Sequence, residues 1–184
     1  MTADLVAASF LRLKEGNMER IMIIGCGGAG KSTLARQLGE KTGLPVVHLD
    51  RIFWSPGNWQ HLDRAEFDAL LTAEAEKDRW IIDGNYDRTL ELRLAKADTV
   101  IYLDFPRWLC LAGWFKRVIT HWGKARPDMA PGCKEWFDPE FVKWLWKYNK
   151  ENRQRNYELI KKYPNAKPII LKNRRQVRAF LSNL

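Results

Sequence analysis

Gly25-Cys26-Gly27-Gly28-Ala29-Gly30-Lys31-Ser32, followed by Thr33, fits the pattern G-x-x-x-x-G-K-[ST] at every fixed position. An apolar run at residues 21–24 precedes this stretch, and residues 31–42 carry apolar side chains at helical spacing. Glycines allow a tight turn that brings backbone N–H groups close to bound oxygens, and a helix N-terminus adds the positive end of its dipole. The pattern therefore predicts a phosphate-binding loop between a strand and a helix.

Three side chains at the end of this loop have predicted roles. Lys31 can reach the β- and γ-phosphates of a nucleoside triphosphate, and the Ser32 hydroxyl can ligate Mg²⁺. Thr33 is placed for a further phosphate contact. The alternative is a glycine-rich turn that binds nothing, but the strand before the motif and the helix after it favour the phosphate site.

Short apolar runs alternate with helical stretches through the rest of the chain. We predict further strands at residues 45–49, 80–82, 99–103 and 168–171, and helices at 31–42, 64–77, from Asp138 to about 162, and from about 174. Asp138 can cap the long helix, with Pro139 at its first position. Near-continuous apolar strands between helices predict a three-layer α/β/α fold, in which helices cover both faces of a five-stranded parallel sheet.

Composition and charge restrict the partners. The 184 residues carry a net charge of +9. Residues 1–92 hold 11 Lys/Arg against 14 Asp/Glu, whereas residues 93–184 hold 20 against 8. A basic half indicates an anionic partner, either nucleotide phosphates or a nucleic-acid backbone, unless it is only a solvated surface. The isolated cysteines Cys26, Cys110 and Cys133 have no metal-ligand spacing, so we expect reduced thiols.

The N-terminal residues form a separate question. Residues 1–17 lack the basic start and cleavage site of a signal peptide, and no apolar run reaches membrane-spanning length, so a cytoplasmic location is expected. The predicted first strand starts only after Met18, a candidate natural start. We therefore expect an N-terminal extension at residues 1–17 and one domain at residues 18–184, which carries the phosphate-binding loop.

Several segments besides the glycine-rich loop resemble the adenylate-kinase-like branch of P-loop kinases, and within it the DNA topology modulation (FlaR-like) proteins. These segments are His48-Leu49-Asp50-Arg51-Ile52-Phe53-Trp54, Trp80-Ile81-Ile82-Asp83-Gly84-Asn85-Tyr86 and Val100-Ile101-Tyr102-Leu103-Asp104-Phe105-Pro106-Arg107. The resemblance covers residues 18–184 and implies the P-loop NTPase fold, with an acceptor-binding insert at about 51–79 and a lid at about 115–137.

The resemblance also implies site residues. Asp83 corresponds to a carboxylate that supports Mg²⁺ through water, and Arg88 to an arginine that contacts the acceptor phosphate. The alternatives are a turn-capping aspartate and a surface ion pair. Asp50 is our candidate general base or acceptor-orienting group, although it can instead cap a turn. Arg117 and Arg126 resemble the lid arginines that stabilise transferring phosphate, unless the segment is a solvated basic loop.

These features predict an enzyme of the small-molecule or nucleotide kinase type that transfers the γ-phosphate of ATP to a nucleotide, nucleoside or other small acceptor. ATP and Mg²⁺ are the expected cofactors. The alternative is a nucleotide-dependent regulator or DNA-binding protein with weak ATPase activity or none. Only the basic half of the chain favours nucleic acid, because no helix-turn-helix or RNA-recognition signature is present.

Overall fold

A computed structural model describes residues 18–57 and 59–184, and the extension predicted at residues 1–17 lies outside them. Five parallel strands form one sheet in the order β2-β3-β1-β4-β5. The strands are β1 (Arg20–Gly25), β2 (Val46–His48), β3 (Trp80–Asp83), β4 (Thr99–Leu103) and β5 (Lys167–Leu171). The sequence order reverses at β1, and ligands of open α/β sheets bind outside the carboxyl ends of strands at such a point.

Seven α-helices connect or follow the strands in the described residues. They are α1 (Lys31–Thr42), α2 (Leu49–Phe53), α3 (Arg64–Ala75), α4 (Leu90–Lys96), α5 (Arg107–His121), α6 (Pro139–Lys162) and α7 (Arg174–Ser182). A single 3₁₀ turn (Asp87–Thr89) precedes α4. Within the described residues, no helix is both long enough and apolar enough to span a bilayer.

The sheet separates two hydrophobic cores because strand side chains point alternately to opposite faces. Ile21 and Ile23 of β1 pack in one core with Leu34 and Leu38 of α1. Met22 and Ile24 belong to the other core, which includes Phe67 and Leu71 of α3. The β1 side chains between residues 21 and 24 are fully or almost fully buried, so the strand that carries the glycine-rich loop is held from both sides.

Helix α6 is fixed to the carboxyl end of β4 by buried polar contacts. Asp104, only 5% exposed, accepts hydrogen bonds from Arg153 Nη2 at 2.8 Å and from the Tyr157 hydroxyl at 2.9 Å. Asn149 Nδ2 donates to the Phe105 carbonyl at 2.9 Å. At the N-terminal end of the helix, the Asp138 side chain accepts from the Glu140 and Phe141 amides, so the predicted cap is confirmed. The start of α6 is thereby held close to the glycine-rich loop.

The predicted three-layer fold with five parallel strands is confirmed, but two helices differ from the sequence interpretation. Residues 107–121 form α5, so the segment predicted as a lid, 115–137, begins inside a helix and Arg117 lies on that helix. Residues 49–53 form α2, which takes up the end of the strand predicted at 45–49 and the start of the insert predicted at about 51–79. In α5 the buried residues Cys110, Trp114 and Val118 recur at helical spacing, so the sequence did carry a signal for this helix.

Candidate active site

The glycine-rich loop joins β1 to α1 as the motif predicts. Gly30 has a left-handed backbone (φ 95°) and precedes the first residue of α1, Lys31. Lys31 Nζ donates hydrogen bonds to the carbonyls of Gly25 at 2.8 Å and Cys26 at 3.2 Å. The ammonium group is therefore folded back over the loop beside the helix N-terminus. The Lys31 ammonium group and the positive end of the α1 dipole together form a site suited to a polyphosphate.

Two glycines of this loop are required by close packing against α5 and α6. A Cβ on Gly27 would lie 2.7 Å from Cζ of Phe141, at the start of α6. A Cβ on Gly28 (φ 74°) would lie 2.2 Å from the Cys110 carbonyl oxygen in α5. A side chain on Gly28 would press on the backbone of α5, and one on Gly27 would displace the Phe141 and Leu145 side chains of α6, so the loop is walled on this side by α5 and α6.

The three cysteines are reduced thiols, and all three are buried. Cys26, in the glycine-rich loop, lies beside Cys110 of α5, and a hydrogen bond between the two thiols together with burial raises the pKa of Cys26. A thiol with a raised pKa is protonated at neutral pH and is a poor nucleophile. Cys26 is therefore a packing residue of the loop.

Two carboxylates lie at the carboxyl ends of β2 and β3. Asp83 ends β3, is 4% exposed, and has its Oδ1 hydrogen bonded to Nδ1 of His48, its register partner on β2. Asp50 follows in the first turn of α2, where the Tyr86 hydroxyl donates to its Oδ1 at 2.7 Å. Burial raises the pKa of Asp50, although the Tyr86 hydrogen bond and the nearby cations Arg126 and Lys31 oppose the shift.

A buried arginine organises the loop after β3. Arg93 of α4 is fully buried and donates to the carbonyls of Gly84 at 2.8 Å and Thr89 at 3.3 Å, and also to that of Asn85. Burial lowers the pKa of Arg93 to about 9, so the side chain remains a cation at neutral pH. In the same loop, Asn85 Oδ1 accepts from the Gly25 amide at 3.0 Å. Arg93 thus fixes the segment that ties β3 to the start of the phosphate loop.

The arginines predicted for the lid are paired with acids. Arg117 Nη2 lies 2.9 Å from Glu135 Oε1, and Arg126 Nε lies 2.8 Å from Glu135 Oε2. Arg126 also pairs with Asp128. Burial opposes the shift, but the charge of Arg126, a backbone amide and a hydrogen bond from Ser32 together lower the pKa of Asp128. Glu135 is 5% exposed. Two arginines and two carboxylates therefore form a nearly neutral cluster over the phosphate loop.

Residues 122–138, which we call the lid loop, rest on the insert after α2. The Gly57 amide donates to the Pro131 carbonyl at 2.7 Å. A Cβ on Gly132 would lie 2.7 Å from Gly57 Cα, so the two backbones touch. Trp54 packs against a small buried cluster that includes Met129 and Cys133. The lid loop and the insert are thereby joined into one cover.

These elements enclose a cavity of about 1070 Å³. Lys31, Ser32, Thr33, Asp50, Asp83, Arg117 and Arg126 all line it, as do Gly27, Gly28 and Gly30. Gly25, Cys26 and Ala29 belong to the loop but not to the cavity wall. Arg88 is the exception among the predicted charged residues, because it lies outside the cavity and pairs with Asp68 of α3. The acceptor contact predicted for Arg88 would require that ion pair to break.

Sequence reasoning missed several polar residues of the site. His48 and Asn85 stand in segments that carry the family resemblance but had no predicted role, and Asp128 and Glu135 lie outside those segments. Arg93 did leave a signal, because it shares a helical face with Leu90, Leu94 and Ala97, all buried apolar residues. A lone arginine on an apolar face requires internal acceptors. Here those acceptors are the backbone carbonyls of the preceding loop.

No family model matches the chain. The chain is 28% identical over 110 residues to an adenylate kinase of Clavibacter michiganensis subsp. michiganensis (strain NCPPB 382), a match that covers 58% of this chain and 53% of the relative. The match thus spans about half the length of that curated protein.

Solved structures of three kinases resemble the chain at 16% identity each. A shikimate kinase from Acinetobacter baumannii in complex with shikimate gives a TM-score of 0.55 and covers 92% of both chains. A shikimate kinase from Bacteroides thetaiotaomicron gives 0.50, with 90% of this chain and 95% of the other covered. A sugar kinase from Janibacter sp. HTCC2649 also gives 0.50, with 90% and 91% covered. The chain therefore has the fold of the P-loop kinases.

Proposed function

We propose that this chain is a phosphotransferase that moves the γ-phosphate of ATP to a small-molecule acceptor. The supporting observation is that one cavity contains the phosphate-loop lysine, a carboxylate with a raised pKa and two lid arginines. Phosphoryl transfer depends on positioning and on cations around the transferred group, with an acid–base residue at the acceptor. The similarity to kinases of several acceptor classes supports the same reaction type.

In this proposal the loop from Gly25 to Thr33 cradles the ATP phosphates. The Lys31 ammonium leaves its carbonyl partners for the β- and γ-phosphate oxygens. Its present bonds to Gly25 and Cys26 keep it within reach of the loop. The start of α1 adds its N–H groups to the same anion.

The same residues fit a nucleotide-bound Mg²⁺. In the described residues, no group of three acidic, His or Cys side chains can hold a metal ion by itself. Mg²⁺ in kinase sites is typically held by few protein ligands together with substrate phosphates and water. Ser32 and, through water, Asp83 would hold it here. Bound Mg²⁺ would offset phosphate charge.

The acceptor hydroxyl would lie at Asp50, which accepts its proton. Arg117 and Arg126 would exchange their ion pairs with Glu135 and Asp128 for the oxygens of the transferring group. Such donors act strongly in a cavity from which water is excluded. The joined lid loop and insert would provide that exclusion.

The test compares Lys31→Ala with Lys41→Ala, a matched variant at the exposed end of the same helix and outside the cavity. Calorimetry with Mg²⁺ should show ATP binding to the unmodified chain and to Lys41→Ala. Lys31→Ala should bind much more weakly and release no ADP in the presence of an accepted substrate. Equal ADP release by both variants, or no binding of ATP to the unmodified chain, would refute the proposal.

A further inference from the structure

The cavity has an end that is distinct from the phosphate loop, and we call it the acceptor end. It is lined by Asp50, Phe53, Trp54, Trp59, Tyr86 and Met129. The ring centroids of Phe53 and Tyr86 are 4.9 Å apart, and those of Trp54 and Trp59 are 5.3 Å apart. Met129 packs in the cluster that contacts Trp54. This end is therefore an aromatic pocket built around one carboxylate.

The cations that line the cavity are carried by elements other than α2, which carries Asp50. Lys31 and Arg36 lie on α1, Lys116 and Arg117 on α5, and Arg174 at the start of α7. Arg126 of the lid loop acts on the Asp50 carboxylate, but Asp128 and Glu135 already balance its charge. Arg88, the arginine expected to bind an acceptor phosphate, is held outside by Asp68. Lys31 also acts on Asp50, but the proposed function assigns its ammonium group to the nucleotide phosphates.

A second carboxylate, Asp83, lies close to Asp50. Asp83 is close enough to contribute to the raised pKa of Asp50, so the two acids already repel each other. Asp128 also lines the cavity. An acceptor that carried a phosphate or carboxylate would bring a further anion to this group without a free partner. Like charges at short range in a partly desolvated site repel each other strongly. This electrostatic pattern favours an uncharged acceptor.

The Asp50 carboxylate is oriented by a strained residue. Tyr86 is the one non-glycine residue with positive φ (40°) in the described chain. Its carbonyl accepts from the Thr89 amide and hydroxyl, each at 2.9 Å, which keeps this conformation. Its hydroxyl donates to Asp50 Oδ1 and leaves Oδ2 for a substrate. Backbone strain that the surroundings maintain often serves to position a functional group.

We propose that the acceptor is an uncharged alcohol with a planar ring, of which nucleosides are an accessible example. This inference rests on the proposed function and specifies its substrate class. The aromatic walls stack on the ring, and Asp50 Oδ2 accepts the proton of the substrate hydroxyl. The hydroxyl oxygen forms a bond to the γ-phosphorus while the bond from that phosphorus to the β,γ-bridging oxygen breaks. The products are a phosphate monoester and ADP.

The first experiment compares nucleosides with their own 5′-monophosphates at equal concentration, with ATP and Mg²⁺. ADP release gives the rate, and mass spectrometry identifies the phosphorylated product. Calorimetry in the presence of a non-hydrolysable ATP analogue measures acceptor binding separately. At least one nucleoside should bind and accelerate ADP release about tenfold more than its monophosphate.

A variant with an added cation tests whether charge at the acceptor end sets the preference for an uncharged acceptor. Trp59 is 40% exposed at the rim of the acceptor end, so Trp59→Arg should fold and should shift preference toward the monophosphates. Trp108→Arg is the matched control, because Trp108 is exposed on α5 and lies outside the cavity. It should leave the preference unchanged.

The possible failures can be separated. If ATP binds and the monophosphate is the better acceptor, the neutral-acceptor inference is overturned while the phosphotransferase proposal remains. If ATP binds but no nucleoside binds or accelerates ADP release, the ring-alcohol class is likewise overturned. If ATP itself does not bind, the proposed function fails first.

Discussion

Glycine-to-alanine substitutions can measure how tightly α5 presses on the phosphate loop. Gly30 has φ 95° but open space where a methyl group would lie, so Gly30→Ala costs only backbone strain, about 1–2 kcal/mol. Gly113 lies in α5, and a Cβ there would be 2.1 Å from the Gly28 carbonyl oxygen. Overpacking of this kind costs about 1–3 kcal/mol, partly offset by the higher helix propensity of alanine. Gly28→Ala combines left-handed strain with a 2.2 Å backbone contact, so about 2–5 kcal/mol is expected.

Urea denaturation followed by tryptophan fluorescence gives the free energies of unfolding for the three variants. Gly28→Ala should have the lowest midpoint, and its melting temperature should fall by about 2–4 °C for each kcal/mol. Gly113→Ala should also weaken ATP binding, although the residue lies outside the loop sequence. If Gly113→Ala is as stable as the unmodified chain and binds ATP equally well, the close packing of α5 on the loop is refuted.

Three further predictions concern charged residues of the site and its support. Only the ionised carboxylate of Asp50 can accept a proton, and burial raises its pKa, so turnover should rise with pH through a midpoint above the ordinary pKa of aspartate. Asp50→Asn should remove this pH dependence. A rise that persists in Asp50→Asn would contradict the role of Asp50 as the general base. Arg93→Leu leaves buried backbone carbonyls without donors and should lower the free energy of unfolding by about 3 kcal/mol. Urea denaturation measures this change. An unchanged midpoint of the urea transition would contradict the structural role of Arg93. Glu135→Gln removes one of the charges that balance Arg117 and Arg126, so calorimetry should show tighter ATP binding with a steeper salt dependence. Weaker ATP binding would contradict this expectation and would indicate that Glu135 mainly holds the lid loop in place.

The strand–loop–helix unit could be predicted from sequence because its determinants are local. Glycines, lysine and serine follow one apolar strand, and α1 begins and ends where its spacing predicts. The long helix from Pro139 to Lys162 was equally readable, since Asp138 supplies a cap and the period of apolar residues is helical. The parallel sheet could be predicted because short apolar runs alternate with helical stretches along the chain.

The charge pairing in the site could not be predicted in this way. Glu135 meets Arg117 and Arg126 only after the chain has folded into the lid loop, and nothing in the spacing of these residues fixes that contact. For Arg88, in contrast, a sequence pattern predicted a contact with the acceptor that the structure does not show. Its position after β3 matched a family pattern, but the turn at residues 87–89 directs it to Asp68, away from the cavity.

The backbone contact between Gly57 and residues 131–132 bears on the order of events in the proposed reaction. The lid loop and the insert share this attachment, so under that proposal the cover of the nucleotide and the wall of the acceptor end would open together. A molecule held in either compartment would therefore slow escape from the other. Release of both products would then depend on a single opening movement.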